Sequence, residues 1–90
     1  MGYEYKLDFD LRDPDGVDLC LRRVAGFEAF DSARGLYAFR RESVGAMPDA
    51  YAAIENDWVY LCDNGGARAI VDDIRVALVT YAFGAELREL

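Results

Sequence analysis

The sequence predicts an α+β fold, a two-layer sandwich in which a mainly antiparallel sheet of about four to six strands carries two helices on one face. Three observations lead to this fold class: strict alternation of apolar and polar residues near the N-terminus, helical spacing of apolar residues in two segments, and several short β-rich runs between them. The resulting order is β-α-β-β-β-β-α with an optional last strand. Ninety residues are enough for one core, so residues 1–90 are expected to form a single domain.

The first strand and the first helix have the clearest patterns. Residues 3–11 alternate in the manner of a strand with one buried and one wet face. Asp13 is then a good N-cap, and Pro14 suits the first helical position, which together predict a helix over about 14–25 that Gly26 ends.

Two short strands are predicted next, over residues 27–31 and 36–40, joined across the hairpin-length loop 32–35. Their apolar residues do not alternate cleanly, because Phe27 and Phe30 fall on opposite faces of a regular strand. This irregularity indicates a bulge or a change of register.

The central hairpin is predicted from residues 51–54 and 58–62, with Asn56-Asp57 as the turn. The second arm contains five consecutive apolar residues, so both of its faces should be covered, wholly or partly, as in an interior strand. The preceding residues 42–48 show no usable period and are assigned to a loop.

A second helix is predicted over about 67–82, after the break Asp63-Asn64-Gly65-Gly66, because its apolar residues fall on one helical stripe. Residues 74–83 are rich in β-branched and aromatic side chains, which leaves a strand as the alternative. Residues 85–90 are either a short edge strand or a frayed end, and the pattern does not decide between them.

Composition limits the kinds of protein this chain can be. It is 53% hydrophobic, 30% charged and carries a net charge of −7, which is typical of a globular domain and unfavourable for binding nucleic-acid phosphates. No apolar run is long enough to cross a membrane, and no secretory signal is evident, so a cytoplasmic location is expected. Arginine supplies all but one of the 10 cationic residues, which indicates a GC-rich genome; we expect a bacterial or phage source.

Residues that carry chemistry are scarce. The chain has no histidine, and its acidic run near Gly16 does not fit a calcium-binding loop, since Arg22 stands where the bidentate glutamate belongs. The glycine break before the second helix lacks the motifs of phosphate-binding loops. Cys20 and Cys62 are expected to be buried thiols without a base to activate them. We therefore predict no catalytic, metal or cofactor site, and no enzyme.

The aromatic residues are more numerous than one covered sheet face requires, so part of them should lie on the uncovered face. The sequence favours an acidic, non-catalytic protein-interaction domain, an inhibitor, immunity-type or adaptor protein, that binds a partner protein through its acidic edges and its aromatic sheet face. The negative charge favours a basic protein as that partner. The alternative is a homodimeric structural or small-ligand-binding domain that uses the same face. The residues predicted to bind the partner are Tyr37, Phe39, Tyr51, Glu55, Asp57, Trp58, Tyr60 and Asp63.

Overall fold

The computed structural model describes residues 3–8, 14–42, 44–55, 58–65, 68–81 and 86–90. These residues form one six-stranded sheet and two helices in the predicted order, which confirms the α+β class. The elements are β1 (Tyr3–Asp8), α1 (Pro14–Arg23), β2 (Phe27–Asp31), β3 (Leu36–Phe39), β4 (Ala50–Ile54), β5 (Trp58–Asp63), α2 (Arg68–Tyr81) and β6 (Glu86–Glu89).

The strands lie in the order β2-β3-β4-β5-β1-β6, and every neighbouring pair is antiparallel. β1 is therefore an interior strand that pairs with β5 on one side and β6 on the other. β1 and β2 run in the same direction but are separated by three strands, so α1 connects the strand next to the β6 edge with the opposite edge of the sheet.

Alternate residues of the strands form the floor of the core. In the strand register Leu7 lies opposite Val59, and Leu61 lies between Tyr5 and Ala52, so these side chains share the face that the helices cover. The helices add fully buried side chains to the same cluster, namely Val17, Leu21, Val71, Ile74 and Leu78. Burial of each such aliphatic side chain stabilises the fold by about 1.5–3 kcal/mol before entropy is counted.

α1 ends at Arg23, earlier than the predicted residue 25, because Val24 to Gly26 form a turn in which Phe27 N-H donates to the Val24 carbonyl at 3.1 Å. Gly26 has φ +95°, and a Cβ at this position would lie 2.8 Å from Arg41 Cγ. Glycine is therefore required here by both backbone conformation and space.

The expected irregularity in β2 is a bulge. The register passes from Phe27 opposite Phe39 to Ala29 opposite Ala38, so Glu28 is the extra residue. Because Glu28 is inserted, Phe27 and Phe30 point to the same side, and both pack against the core.

A cluster of polar and aromatic side chains connects α1 with the hairpin formed by β2 and β3. The Tyr37 hydroxyl donates to Asp18 Oδ1 at 2.5 Å, and Arg22 forms an ion pair with the same carboxylate at 3.0 Å. The Arg22 guanidinium also lies 5.2 Å from the ring centroid of Phe30, within reach of a cation–π interaction. The Tyr37 hydrogen bond lowers the pKa of Asp18, whereas burial and that same bond raise the pKa of Tyr37.

The remaining predictions about elements are resolved as follows. Residues 74–81 are helical, so α2 is a helix and not a strand, while residues 67 and 82 lie outside the described residues. For residues 85–90 the sequence allowed either an edge strand or a frayed end, and residues 86–89 form the edge strand β6. β5 is an interior strand, as predicted. Residues 9–11 of the predicted first strand also lie outside the described part of the chain.

Candidate functional site

The two helices leave one face of the sheet uncovered by any described element. We call it the open face, and its side chains are those that alternate away from the core. It includes Glu4, Lys6, Asp8, Leu36, Ala38, Tyr51, Ala53, Trp58, Tyr60, Cys62 and Arg88.

Two rows of side chains cross the centre of the open face. In one row Tyr60 lies opposite Lys6 on β1 and Ala53 on β4. In the next row Tyr51 lies between Cys62 on β5 and Ala38 on β3. The alanines are much smaller than the tyrosine rings, so Tyr60 and Tyr51 are the largest side chains of these two rows.

Trp58 lies at the end of the open face where acidic side chains gather. Asp8 is its partner on β1, and Glu55 N-H donates to the Trp58 carbonyl at 2.8 Å, which places the exposed Glu55 residue next to Trp58, just past the end of β4. Lys6 Nζ lies 5.0 Å from the centroid of the indole ring, within the range of a cation–π interaction. The tryptophan thus already accepts a cation from its own chain.

Tyr60, Cys62 and Glu4 form a group of interacting titratable side chains on the same face. Burial, the hydrogen bond with Cys62 and the nearby Glu4 carboxylate raise the pKa of Tyr60 to about 12. Burial raises the pKa of the Cys62 thiol, although its hydrogen bond with Tyr60 acts in the opposite direction. The Cys62 thiol also donates to Asn64 Oδ1 at 3.4 Å. A protonated thiol is a weak nucleophile, so this group suits binding better than covalent chemistry.

Five of the eight predicted partner-binding residues are consistent with an exposed position or lie outside the described residues. Tyr51, Trp58 and Tyr60 are partly exposed on the open face, and Glu55 is exposed beside it. Asp57 lies outside the described residues.

Tyr37 and Phe39 were wrongly placed on the partner surface. They lie opposite Ala52 and Ala50 on the helix-covered side of the sheet, and their exposed fractions are 3% and 0%. In β3 it is Leu36 and Ala38 that point to the open face.

Asp63 was also wrongly expected to be an exposed acid. It is 3% exposed on the covered side, opposite Tyr3 and Ala50, and its Oδ1 accepts a hydrogen bond from Gly65 N-H at 2.8 Å. Its carboxylate therefore shapes the turn that leads to α2, because an Asp side chain readily bonds its own backbone two residues on.

The sequence reasoning missed the contribution of β1 to the open face. The alternation in β1 was sufficient to predict that Glu4, Lys6 and Asp8 lie on the solvent-facing side of that strand. Their position beside the aromatic residues of β5 follows only from the pairing of these two strands.

A second surface feature lies between the helices. A groove of about 380 Å³ is lined by apolar side chains of α1 and α2, among them Cys20 and Val76, with Arg23 and Asp73 also on its walls. Asp73 accepts a hydrogen bond from Arg41 Nη2 at 2.7 Å. Cys20 and Cys62 are both free thiols and only half-buried, which corrects the expectation that they would be buried.

Within the described ranges, no three cysteine or acidic side chains are grouped as a metal site requires. Among the same residues, no helix is both long and apolar enough to cross a membrane. Comparison with known protein families, with curated proteins and with solved structures gave no significant match. The fold and the open face together define the class as a two-layer α+β domain with an aromatic, partly charged sheet surface.

Proposed function

We propose that this chain is a non-catalytic protein-interaction domain, an inhibitor, immunity-type or adaptor protein from the bacterial or phage cytoplasm. In this proposal the open face binds a basic partner protein. The observation that carries the proposal is the one-sided sheet, which leaves Trp58, Tyr60 and Tyr51 on a face that no described element covers. Tryptophan and tyrosine are the residue types most enriched at the energetic centres of protein interfaces.

The preference for a basic partner rests on charge. The chain carries −7 overall, and exposed Glu55 and half-buried Asp8 flank Trp58. The contact between Lys6 and the indole ring is a model for how an arginine or lysine of the partner would be received there. Acidic surfaces of this kind accelerate association with a basic protein and make the rate sensitive to salt.

The test begins with a pull-down from an extract of the source organism, followed by titration of the purified partner. Trp58 is the only tryptophan in the chain, so its fluorescence reports binding at the open face. The variant Trp58→Ala/Tyr60→Ala, checked to be folded by circular dichroism, should lose about tenfold or more in affinity by calorimetry. Affinity within about twofold of the wild type would contradict a role for the open face.

Charge reversal tests whether the acidic side chains beside Trp58 accelerate association with a basic partner. Glu55→Lys should slow association and flatten its dependence on salt, because the repelled partner approaches the same face. Glu89→Lys is a matched control, since Glu89 is exposed but lies opposite Tyr5 on the other side of the sheet. Equal effects of the two reversals would show that only the total charge matters.

A second copy of the chain is the alternative partner, as a homodimer with a structural or small-ligand-binding role. The observation that favours it is that the open face carries both signs of charge, with Lys6 and Arg88 beside Glu4 and Asp8. Sedimentation equilibrium distinguishes the two proposals. A dimer that Tyr60→Ala dissociates supports self-association, whereas a monomer at all concentrations supports a heterologous partner.

A further inference from the structure

The single lysine of the chain and its single tryptophan meet on the open face. Lys6 Nζ lies 5.0 Å from the centroid of the Trp58 indole ring. The contact is diagonal across two strands, since Lys6 is paired in register with Tyr60 and Trp58 is paired with Asp8. Both Lys6 and Trp58 are half-buried, so the cation and the ring remain within reach of a partner.

The indole ring is the partner of Lys6 although carboxylates lie close by in the strand. Glu4 and Asp8 are two residues away on the same face of β1, yet Lys6 forms no ion pair with any described residue. Half-buried Asp8 and exposed Glu55 likewise pair with no cation among the described residues. Trp58 thus has one cation over its ring and two acidic residues beside it.

This arrangement suits a guanidinium group better than the ammonium group that occupies it. Asp8 and Glu55 carry two negative charges against the one positive charge of Lys6, so a further cation is attracted to the ring. A guanidinium is planar and has five N-H groups in a fixed fork, and it can stack on an indole while it donates to a carboxylate. An ammonium is a compact, strongly hydrated charge that does not stack.

We infer that Trp58 receives an arginine side chain of the partner protein, and that Lys6 is the internal competitor which this arginine displaces. The inference rests on the proposed protein-interaction function and names arginine, and not lysine, as the partner's anchor on the open face. On displacement Lys6 loses one contact with the ring, whereas the arginine gains the ring together with the carboxylates of Asp8 and Glu55. A lysine of the partner would only replace one ammonium by another.

The first experiment compares two peptides of equal charge, acetyl-Gly-Arg-Gly-Arg-Gly-amide and acetyl-Gly-Lys-Gly-Lys-Gly-amide. Titration at low salt is followed by Trp58 fluorescence, which reports on this ring alone because the chain has one tryptophan. The Kd of the arginine peptide should be about three- to fivefold lower than that of the lysine peptide. Equal Kd values would overturn the preference for arginine.

The role of Lys6 is tested with two variants titrated with the arginine peptide. Lys6→Met removes the competitor and should lower the Kd about threefold. Lys6→Arg keeps the net charge but is a stronger competitor for the ring, so it should raise the Kd about twofold or more. Arg75→Met is the matched control, since it makes the same change of charge at an exposed position of α2, and its Kd should stay within about 1.5-fold of the wild type. A Kd for Lys6→Arg equal to that of the wild type would show that Lys6 acts through its charge alone and would overturn the competition.

Displacement of Lys6 is observed directly by nuclear magnetic resonance. Protein made with ¹³C-labelled lysine gives one εCH₂ signal, because the chain has one lysine. The ring current of the indole shifts protons above its face upfield, so this signal should lie upfield of its position in Trp58→Leu. The arginine peptide should move the signal toward the Trp58→Leu position. A signal that stays in place while Trp58 fluorescence saturates would overturn the displacement.

The results separate this inference from the proposed function. If Trp58→Ala/Tyr60→Ala loses affinity for the partner while the two peptides bind equally, the open face binds a protein and the arginine inference fails. If the peptides differ as expected while that variant keeps its affinity for the partner, Trp58 receives arginine side chains and the proposed role of the open face fails.

Discussion

At the scale of single residues, the pair formed by Tyr37 and Asp18 shows how a buried hydroxyl is accommodated in the core. Tyr37 lies under the helices, yet its hydroxyl reaches Asp18 on α1 at 2.5 Å. A hydrogen bond to a charged partner is stronger than a neutral one and contributes about 1.5–3 kcal/mol.

Tyr37→Phe should lower the free energy of unfolding by about 1–2 kcal/mol, since Asp18 keeps Arg22 as a partner. Urea unfolding followed by Trp58 fluorescence measures this change. Tyr51→Phe removes a hydroxyl from the open face and should cost less than about 0.5 kcal/mol. A similar loss in both variants would contradict a special role for the buried pair.

The same pair predicts how stability depends on pH. Folding raises the pKa of Tyr37 above its ordinary value of 10.0. The contribution of Tyr37 to the free energy of unfolding is therefore complete below pH 10.0 and is lost as the pH rises through the raised pKa. The folded state lowers the pKa of Asp18 from 3.8, so its contribution is present above that pH and is lost as the pH falls through the lowered value. The stability difference between wild type and Tyr37→Phe should therefore shrink at both extremes, and a difference that is constant from acid to alkali would contradict this assignment.

Glycine positions give a graded test of backbone strain. Gly26→Ala should destabilise by about 2 kcal/mol or more, because it combines φ +95° with a Cβ contact of 2.8 Å. Gly35→Ala has φ +67° but open space, and should cost about 1 kcal/mol. Gly45→Ala has no positive φ and no neighbour within 4 Å, so it should be close to neutral. Thermal unfolding that ranked the three variants in another order would be inconsistent with this reasoning.

At the scale of elements, the bulge in β2 allows two phenylalanines to point into the core although their spacing in the sequence does not fit a regular strand. Glu28 adds one residue, so that Phe27 and Phe30 both face α1 and the core. Bulges of this kind also twist an edge strand away from pairing with other molecules, and β2 is an edge strand.

Deletion of Glu28 should therefore be tolerated. It leaves Phe27, Ala29 and Phe30 as three consecutive residues that alternate correctly against β3, and it removes only the surface ion pair between Glu28 and Arg40. We expect a loss below about 2 kcal/mol. Deletion of Ala38, by contrast, would shift the register of β3 and move Tyr37 out of the core, and we expect no cooperative unfolding transition. Circular dichroism during thermal unfolding measures both.

At the scale of the whole molecule, charge is the dominant long-range term. The chain carries −7 within dimensions of 35 × 25 × 21 Å. The screening length falls from about 30 Å at 0.01 M salt to about 8 Å at 0.15 M, which is from longer than the thinnest dimension to much shorter. Repulsion across the molecule is thus screened by moderate salt, while ion pairs in contact, such as Arg41 with Asp73 at 2.7 Å, are screened less.

The free energy of unfolding should consequently rise by about 1 kcal/mol between these two salt concentrations. Urea unfolding in sodium chloride measures the change. The variant Glu55→Lys/Glu89→Lys moves the net charge of −7 four units toward zero and should show a smaller rise. A rise as large as that of the wild type would indicate that salt acts through some effect other than charge repulsion.

The sequence predicted the fold well where its patterns are local. Alternation located β1, and the bulge was anticipated from Phe27 and Phe30. α1 begins at Pro14 as predicted, while its predicted N-cap, Asp13, lies outside the described residues. Strand order was not predictable in this way, because pairing between β1 and β5 joins residues far apart in the chain. The position of Glu4, Lys6 and Asp8 beside the aromatic residues of the open face is therefore known only from the structure.

The choice of sheet face was partly readable from the sequence. Alternation already grouped Leu36, Ala38 and Arg40 against Tyr37 and Phe39, and an arginine is poorly suited to the side under two helices. The prediction that Tyr37 and Phe39 lie on the partner surface relied on the number of aromatic residues and did not use this alternation. Both residues in fact lie on the helix-covered side. In β5 the same logic separates aliphatic Val59 and Leu61 from the amphipathic Trp58 and Tyr60.

The interior position of β1 has a consequence for how the chain is made. β1 is translated first, but both of its neighbours in the sheet, β5 and β6, come from the second half of the chain. A nascent chain on the ribosome can pair β2, β3 and β4 while β1 still waits with both edges unpaired. Slow translation or stalling between residues 31 and 58 should therefore lengthen the time during which this strand is exposed to chaperones and to aggregation.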